Sequence, residues 1–375
     1  MRRLLCSLCA AVFFLSASPQ VARAEPHRAL FIGNSYTAAN HPQDLKGQYQ
    51  ALMQEAVERG LWSADAVEVS DVTAGGYLLR MHLEDAKQSG SELAQQLAQK
   101  LSVVVLQEQS QIPGLGQIGH PEYTKSKSAF VALDDMVDSA GAETVALMTW
   151  GRRDGDSQSA HMNSFKKMQA ALAKGYEGFL TAASTPARPV RMAPAGLAFE
   201  AIYDQLLKDG VQPTDEGTLF HRLYDGDGSH QTVHGSYVAA LCVVGAVTGL
   251  NVTTLTWRPD GVSADDATRL RAAALSALSI WPPPAPPSVV EPDEPDTSTD
   301  VSSGEEVVEE VGSGSDAAEP DTAPADTASP GAVAPPTPPA SDSGCGVAAG
   351  RSPGSIPAFL MLAVWFIVTL RRERA

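Results

Sequence analysis

Apolar and polar positions along this chain follow two different periods. Short apolar runs at residues 28–33, 101–106 and 143–150, a Val-containing alternation at 66–72 and a shorter run at 188–194 predict strands. Between them the apolar residues recur every three or four positions. Leu45, Tyr49, Leu52, Met53, Ala56 and Val57 predict a helix over 42–60. Similar spacing predicts helices at 92–100, 125–139, 163–175, 199–210, 233–248 and 263–278. The segment 233–248 is rich in Ala and Val on all sides and is expected to be buried nearly all round. Ser263 with Asp266 resembles a helix N-cap pair, with Asp in the place usually taken by Glu. Strand and helix alternate five times, which predicts an α/β protein: a doubly wound parallel sheet with helices on both faces. About 255 residues, 25–280, are enough to supply one core as a single domain.

The two ends of the chain break this pattern. Residues 1–24 read as a secretory signal: Arg2 and Arg3, an apolar run over 4–17, then Ala22-Arg23-Ala24 as a cleavage site. Residues 281–343 read as a disordered, self-repelling tether, rich in Pro, Asp, Glu, Ala, Ser and Thr and nearly free of aromatic residues. Residues 344–375 hold Gly344-Cys345-Gly346, an apolar run over 356–370 and Arg371-Arg372-Glu373-Arg374. This trio of tether, Gly-Cys with apolar helix, and basic end resembles the MYXO-CTERM sorting tail. The resemblance implies that Cys345 is a processing site for a sorting protease. The apolar helix would then be a transient membrane anchor, and the product would reach the cell surface or be secreted. A permanent tail anchor is the alternative reading.

Charge and cysteine use narrow the field further. The chain has 375 residues and a net charge of −17, and no Lys or Arg falls between Trp281 and Gly344. Such an acidic protein is repelled by phosphate backbones, so no nucleic-acid partner is expected. Signal cleavage would leave Cys242 and Cys345 of the four cysteines, too few for a disulfide scaffold. The chain is read as having no Gly-x-Gly-x-x-Gly and no Walker loop, and no Cys/His set with zinc spacing. No cofactor and no metal are expected.

In a doubly wound sheet the loops at the C-terminal strand ends gather at one edge. Four of them carry chemistry. Gly33-Asn34-Ser35 follows the first strand, and Ser35 is a nucleophile once a base takes its proton. Asp227-Gly228-Ser229-His230 lies late in the domain. His230 is the candidate base, since imidazole titrates near neutrality. Asp227 is placed to hold the ring's other nitrogen. The backbone amides of Ser35 and of Gly75 or Gly76 can bind a developing oxyanion. The amide side chain of Gln107 or Gln109 can add a third donor.

Gly33-Asn34-Ser35, Gly75/Gly76 and Asp227-x-x-His230 resemble blocks I, II and V of the SGNH (GDSL-type) hydrolases, in that order, over nearly the whole folded domain. Phe31-Ile32-Gly33-Asn34-Ser35, Leu106-Gln107-x-x-Ser110 and Asp227-Gly228-x-His230 look most like an uncharacterised secreted bacterial branch. The resemblance implies a flavodoxin-like sheet and metal-free ester hydrolysis by a Ser-His-Asp set. One block departs: the family's Gly-x-Asn-Asp is replaced by Gln107-Glu108-Gln109-Ser110. Gln109 matches the missing Asn by offset and Gln107 by branch, so the third donor stays open between them.

Rival readings accompany each residue. His234 is the rival base, expected instead on the first turn of the buried helix. Asp225 rivals Asp227 and is expected to be a turn residue. Glu108 is expected as an exposed loop charge or a local ion pair, with a second acid as the sharper alternative. Trp150 and Arg152 are expected at the rim of the substrate edge. Tyr36 and Tyr77 are expected to pack, with sugar stacking as the alternative. The leading expectation is an exported serine esterase that removes acyl groups, most simply acetyl, from carbohydrate or similar polar esters, small or polymeric. The alternatives are a lipase or thioesterase of the same fold and a surface binding module without catalysis.

Overall fold

The computed structural model describes residues 25–38 and 44–281. The expected signal segment, the tether from residue 282 onward, and the tail with Cys345 lie outside the described residues. Among the described residues no helix is long and apolar enough to cross a membrane.

Five strands form one sheet: β1 (His27–Gly33), β2 (Val67–Thr73), β3 (Val103–Leu106), β4 (Glu143–Leu147) and β5 (Arg191–Ala193). Their order is β2-β1-β3-β4-β5 and every pair is parallel. This is the doubly wound, flavodoxin-like arrangement that the alternating pattern predicts. The chain leaves β1 toward β2 on one side and returns to β3 on the other. A crevice therefore opens at the C-terminal ends of β1 and β3, where such sheets carry their sites.

Helices α1 (Leu45–Glu58), α2 (Leu79–Lys87), α3 (Glu92–Leu97), α4 (Pro121–Ser139) and α5 (Phe165–Ala183) alternate with the strands. Helices α6 (Ala195–Lys208), α7 (Leu219–Arg222), α8 (Val233–Thr248) and α9 (Ala264–Ile280) complete the domain. Alternate side chains of each strand enter different layers. Ala29, Phe31, Val103, Val105, Val145 and Leu147 join α1, α6, α8 and α9. Leu30, Ile32, Val104, Leu106 and Ala146 join α2, α4 and α5. Burial on both faces is why these strands are unbroken apolar runs. Helix α8 is buried from His234 to Thr248 without interruption, as its composition predicts.

Caps set several helix ends. Asp44, Ser91, Ser164, Thr218, Thr232 and Ser263 each accept a first-turn amide. Ser263 Oγ accepts from the Asp266 amide at 3.0 Å, while the Asp266 carboxylate turns to Arg222 at 2.6 Å. The predicted pair is thus half a capping box.

Several boundaries differ from the pattern. The short helices α2 and α7 escape prediction: α7 has only four residues, and α2 starts after Leu78, which offers no capping side chain. Helix α5 runs on past Gly175, which reads as a stop in the sequence. A Cβ there would lie 2.0 Å from the Pro113 carbonyl oxygen, so this glycine permits close packing inside a helix. Gly114, Gly116 and Gly119 do stand at Gly-x-Gly-x-x-Gly spacing, which corrects the reading of no such loop. They do not cradle a phosphate: Pro113–Ile118 is a 3₁₀ turn, and added Cβ atoms at Gly114 and Gly116 would meet Met162 and Tyr123 at 2.6 and 2.9 Å.

Candidate active site

The turn after β1 closes through Asn34. Its carbonyl accepts from Thr37 and Ala38 amides at 2.9 and 3.0 Å, and its Oδ1 accepts from the Tyr36 amide at 3.1 Å. Ser35 is thereby set half-buried at the C-terminal end of β1. Its Oγ lies 2.8 Å from His230 Nε2. On the other side of the ring, Nδ1 lies 2.5 Å from Asp227 Oδ2. Asp227 Oδ1 accepts from the amides of Ser229 and His230 at 2.8 and 2.9 Å, so one carboxylate shapes its own loop and orients the ring. Partial burial pushes the Asp227 carboxyl up, but the His230 ring and these two amides outweigh it and hold it below the ordinary carboxylate range. The expected trio is brought together as a connected line: hydroxyl, imidazole, carboxylate.

A buried aromatic layer supports that line. Tyr36 stacks on Trp150 at 5.1 Å, and Trp150 stacks on Phe199 of α6 at 4.6 Å. The Trp150 indole donates to the Ser229 carbonyl at 3.1 Å, and the Tyr36 hydroxyl meets Ser229 Oγ at 2.6 Å. Gln231 Nε2 donates to the Tyr36 carbonyl at 2.8 Å. The Arg153 amide donates to the Gly228 carbonyl at 2.8 Å. Trp150 is fully buried, which corrects its expected place on the rim. Tyr36 packs, as expected. The parts played by Ser229 and Gln231 are not readable in the sequence, because each acts only through a partner about 80 to 195 positions away.

The rivals separate cleanly. His234 is capped into the first turn of α8, 3.4 Å from Asp266, and burial pushes its imidazole down. Asp225 turns back on its own loop, accepting from the Gly226 amide at 2.8 Å.

The loop after β3 requires two corrections. Gln107 is only 1% exposed. Its Oε1 accepts from the Asn34 amide at 2.9 Å and from Thr37 Oγ1 at 3.0 Å, while its Nε2 donates to the Glu108 carbonyl. Both ends of the amide are engaged by the protein and the side chain is sealed from solvent, so it is not placed to donate to a substrate oxygen; it braces the nucleophile turn. Gly33 makes this possible, since a Cβ there would lie 2.5 Å from Gln107 Oε1. Glu108 is not an exposed charge or an ion-paired one but is fully buried, accepting from the Leu79 and Gln109 amides. Burial pushes its carboxyl up to about 8.

Gln109 is half-buried. Its Oε1 accepts from the Gln111 amide at 2.9 Å, and its Nε2 has only a 3.4 Å contact with Ser110 Oγ. Gly75 and Gly76 are exposed, with no atom within 4 Å of where a Cβ would stand and with Gly76 at φ +71°. Asn34 Nδ2 donates to the Tyr77 carbonyl at 2.9 Å and so ties this glycine loop to the nucleophile turn. Among the described residues no group of three or more His, Cys, Asp or Glu could hold a metal ion.

No protein-family model matches the chain, and no curated protein matches it. Solved structures do. A DUF4886 family protein from Bacteroides uniformis is 16% identical, with a TM-score of 0.49, over 68% of this chain and 95% of its own. A protein of Slackia heliotrinireducens assigned to the SGNH hydrolases is 24% identical, with a TM-score of 0.43, over 58% and 97%. An acetylxylan esterase from Geobacillus stearothermophilus is 14% identical, with a TM-score of 0.40, over 60% and 96%. At these identities the likeness is one of fold.

Proposed function

We propose that the protein is an exported serine esterase acting on acyl esters of carbohydrates or similar polar compounds, with acetyl as the acyl group. One observation carries the reaction type: Ser35 Oγ, His230 and Asp227 form a continuous hydrogen-bonded line at 2.8 and 2.5 Å. His230 Nε2 takes the hydroxyl proton as Ser35 Oγ attacks the ester carbonyl carbon. Asp227 holds the ring in the tautomer that leaves Nε2 free and stabilises the imidazolium that forms. The amides of Ser35 and of Gly75 or Gly76, with Gln109 Nε2, bind the tetrahedral oxyanion. The imidazolium returns the proton to the leaving alcohol. Water, activated by His230, then releases the carboxylic acid from Ser35.

The preference for a polar substrate and a short acyl group rests on the site's openness. The side chains of Asp227 and His230 are 50% and 33% exposed. Surface cavities of about 370 to 500 Å³ lie elsewhere, and none of these is lined by Ser35, Asp227 or His230. A long acyl chain needs a deep apolar channel. Export rests on the residues at 1–24, and surface delivery through processing at Cys345 rests on the tail's resemblance.

The full-length protein is tested with p-nitrophenyl acetate and with longer-chain nitrophenyl esters, beside Ser35→Ala. Hydrolysis that falls with chain length and is abolished by the substitution is expected. So is a fluorophosphonate adduct whose mass maps to Ser35. Equal rates for both proteins, with no adduct, would leave a non-catalytic binding module instead.

A further inference from the structure

We propose that Glu108 is a positioning residue, whose side chain fastens the glycine loop and the nucleophile turn to the end of β3. Helix α2 starts at Leu79, and its N-cap is Leu78, a residue with no polar side chain to receive the first amide. Glu108 takes that part from another strand. Its two carboxyl oxygens lie 3.2 and 3.3 Å from the Leu79 amide nitrogen, and Oε1 also accepts from the Gln109 amide at 2.6 Å. Segment 74–79 is thus fixed at three points. The Ala74 amide donates to the Gly33 carbonyl at 3.3 Å, the Tyr77 carbonyl accepts from Asn34 Nδ2 at 2.9 Å, and the Leu79 amide donates to Glu108. Between these points only Gly75 and Gly76 are left open. The Glu108 carbonyl also receives Gln107 Nε2, and Gln107 Oε1 holds the Asn34 amide. One residue therefore holds the Leu79 amide at the far end of the glycine loop and, through Gln107, the Asn34 amide next to Ser35.

The chemistry of the buried group makes this testable. Glu108 has no ion pair among the described residues. Arg80 on α2 draws its carboxyl down at a distance and Glu122 on α4, itself 3.3 Å from Arg80, pushes it up; the Tyr176 hydroxyl of α5 also lies within its field. Burial is the dominant influence, so near neutrality the group is a neutral carboxylic acid, with the shape of a glutamine side chain. Its proton is bound more tightly folded than unfolded. The stability it contributes is complete below its ordinary value and is lost as pH rises through about 8.

The test uses the full chain with Glu108→Ala and Glu108→Gln. In Glu108→Ala, amide exchange across residues 74–80 is expected to quicken about 10-fold or more. Its kcat for p-nitrophenyl acetate is expected to fall about 100-fold with KM nearly unchanged, since a misplacement near 1 Å costs on that order. Glu108→Gln is expected to restore both and to lack the change in rate near pH 8 that is expected of wild type. Exchange and kcat unaltered in Glu108→Ala overturn the proposal, as does a Glu108→Gln protein that behaves like the alanine variant. Should the alanine variant fail to fold, Glu108→Asp, one carbon short of the Leu79 amide, carries the same expectations. The kinetic arm rests on the esterase reading, and the exchange arm does not. A wild type with no Ser35-dependent hydrolysis sinks that reading and leaves exchange to decide on Glu108. Ser35-dependent hydrolysis that ignores residue 108 sinks this proposal alone.

Discussion

Two loops at the same sheet edge carry similar residues and use them in opposite ways. The Asp227–His230 loop is open to solvent, and its acid and its ring face each other and the serine. The loop after β3 holds an acid and amides too, but Glu108 and Gln107 are sealed at 0% and 1% exposure and bond only to the backbone and hydroxyls around them. The first loop keeps a proton-accepting nitrogen within reach of a neutral hydroxyl. The second turns the polar ends of Gln107 and Glu108 onto the protein itself, while the amide nitrogen of Gln109 has only a long contact. A polar side chain at a strand end is therefore a reagent only when the fold leaves one of its atoms unsatisfied; otherwise it is a brace.

The sharpest way to break this contrast is to delete the open side. Ser35→Ala and His230→Ala are each expected to lower kcat/KM by about 10⁴-fold or more. Because both residues are half-exposed, melting temperature should shift little, and calorimetry beside the esterase assay checks that pairing. Gln109→Ala comes next: loss of one oxyanion donor is expected to cost roughly 100-fold in kcat with little change in KM or stability. A wild-type rate in that variant would place Gln109 with Gln107 among the braces. On the buried side the effect moves from rate to stability. Gln107→Ala leaves the Asn34 amide without its acceptor and should cost about 2–3 kcal/mol of stability, read by urea denaturation.

The smallest effect concerns pH and lies away from both loops. His27 is buried against the Tyr49 hydroxyl at 2.7 Å, and burial pushes its imidazole down to about 4. It binds a proton more weakly in the fold than in the unfolded chain, so its share of stability is complete above about pH 6.5 and is lost as pH falls toward 4. A loss of about 1–2 kcal/mol between pH 7 and 5 is expected from this residue. His27→Gln should flatten that slope without moving esterase activity at pH 7.

The sheet is legible because each of β1, β3 and β4 is buried on both faces, which leaves a short apolar run, four to seven residues long, where the buried helix α8 runs to sixteen. The open loop is legible as well: Asp227 and His230 sit three positions apart, so their pairing is nearly local. The braced loop is not. Whether Gln107 and Gln109 point toward the surface or into the protein depends on what waits at 33–37 and at residue 79, and nothing within the run 106–110 records that. Trp150 is misplaced by its sequence for the same reason, since its neighbours Tyr36 and Phe199 come from distant parts of the chain. Helix α2 escapes notice because its start is fixed by a carboxyl group 29 residues downstream instead of by a cap of its own.

The serine and its imidazole are separated by 195 positions, about three quarters of the domain. A chain emerging from the ribosome presents the hydroxyl early and waits for most of the domain before the ring exists at all. Contacts so remote in sequence form late in folding, after nearer ones have restricted the chain. Reactivity is consequently the last property this domain acquires, and fragments cut off before residue 230 should be chemically silent toward esters however much of the sheet they contain.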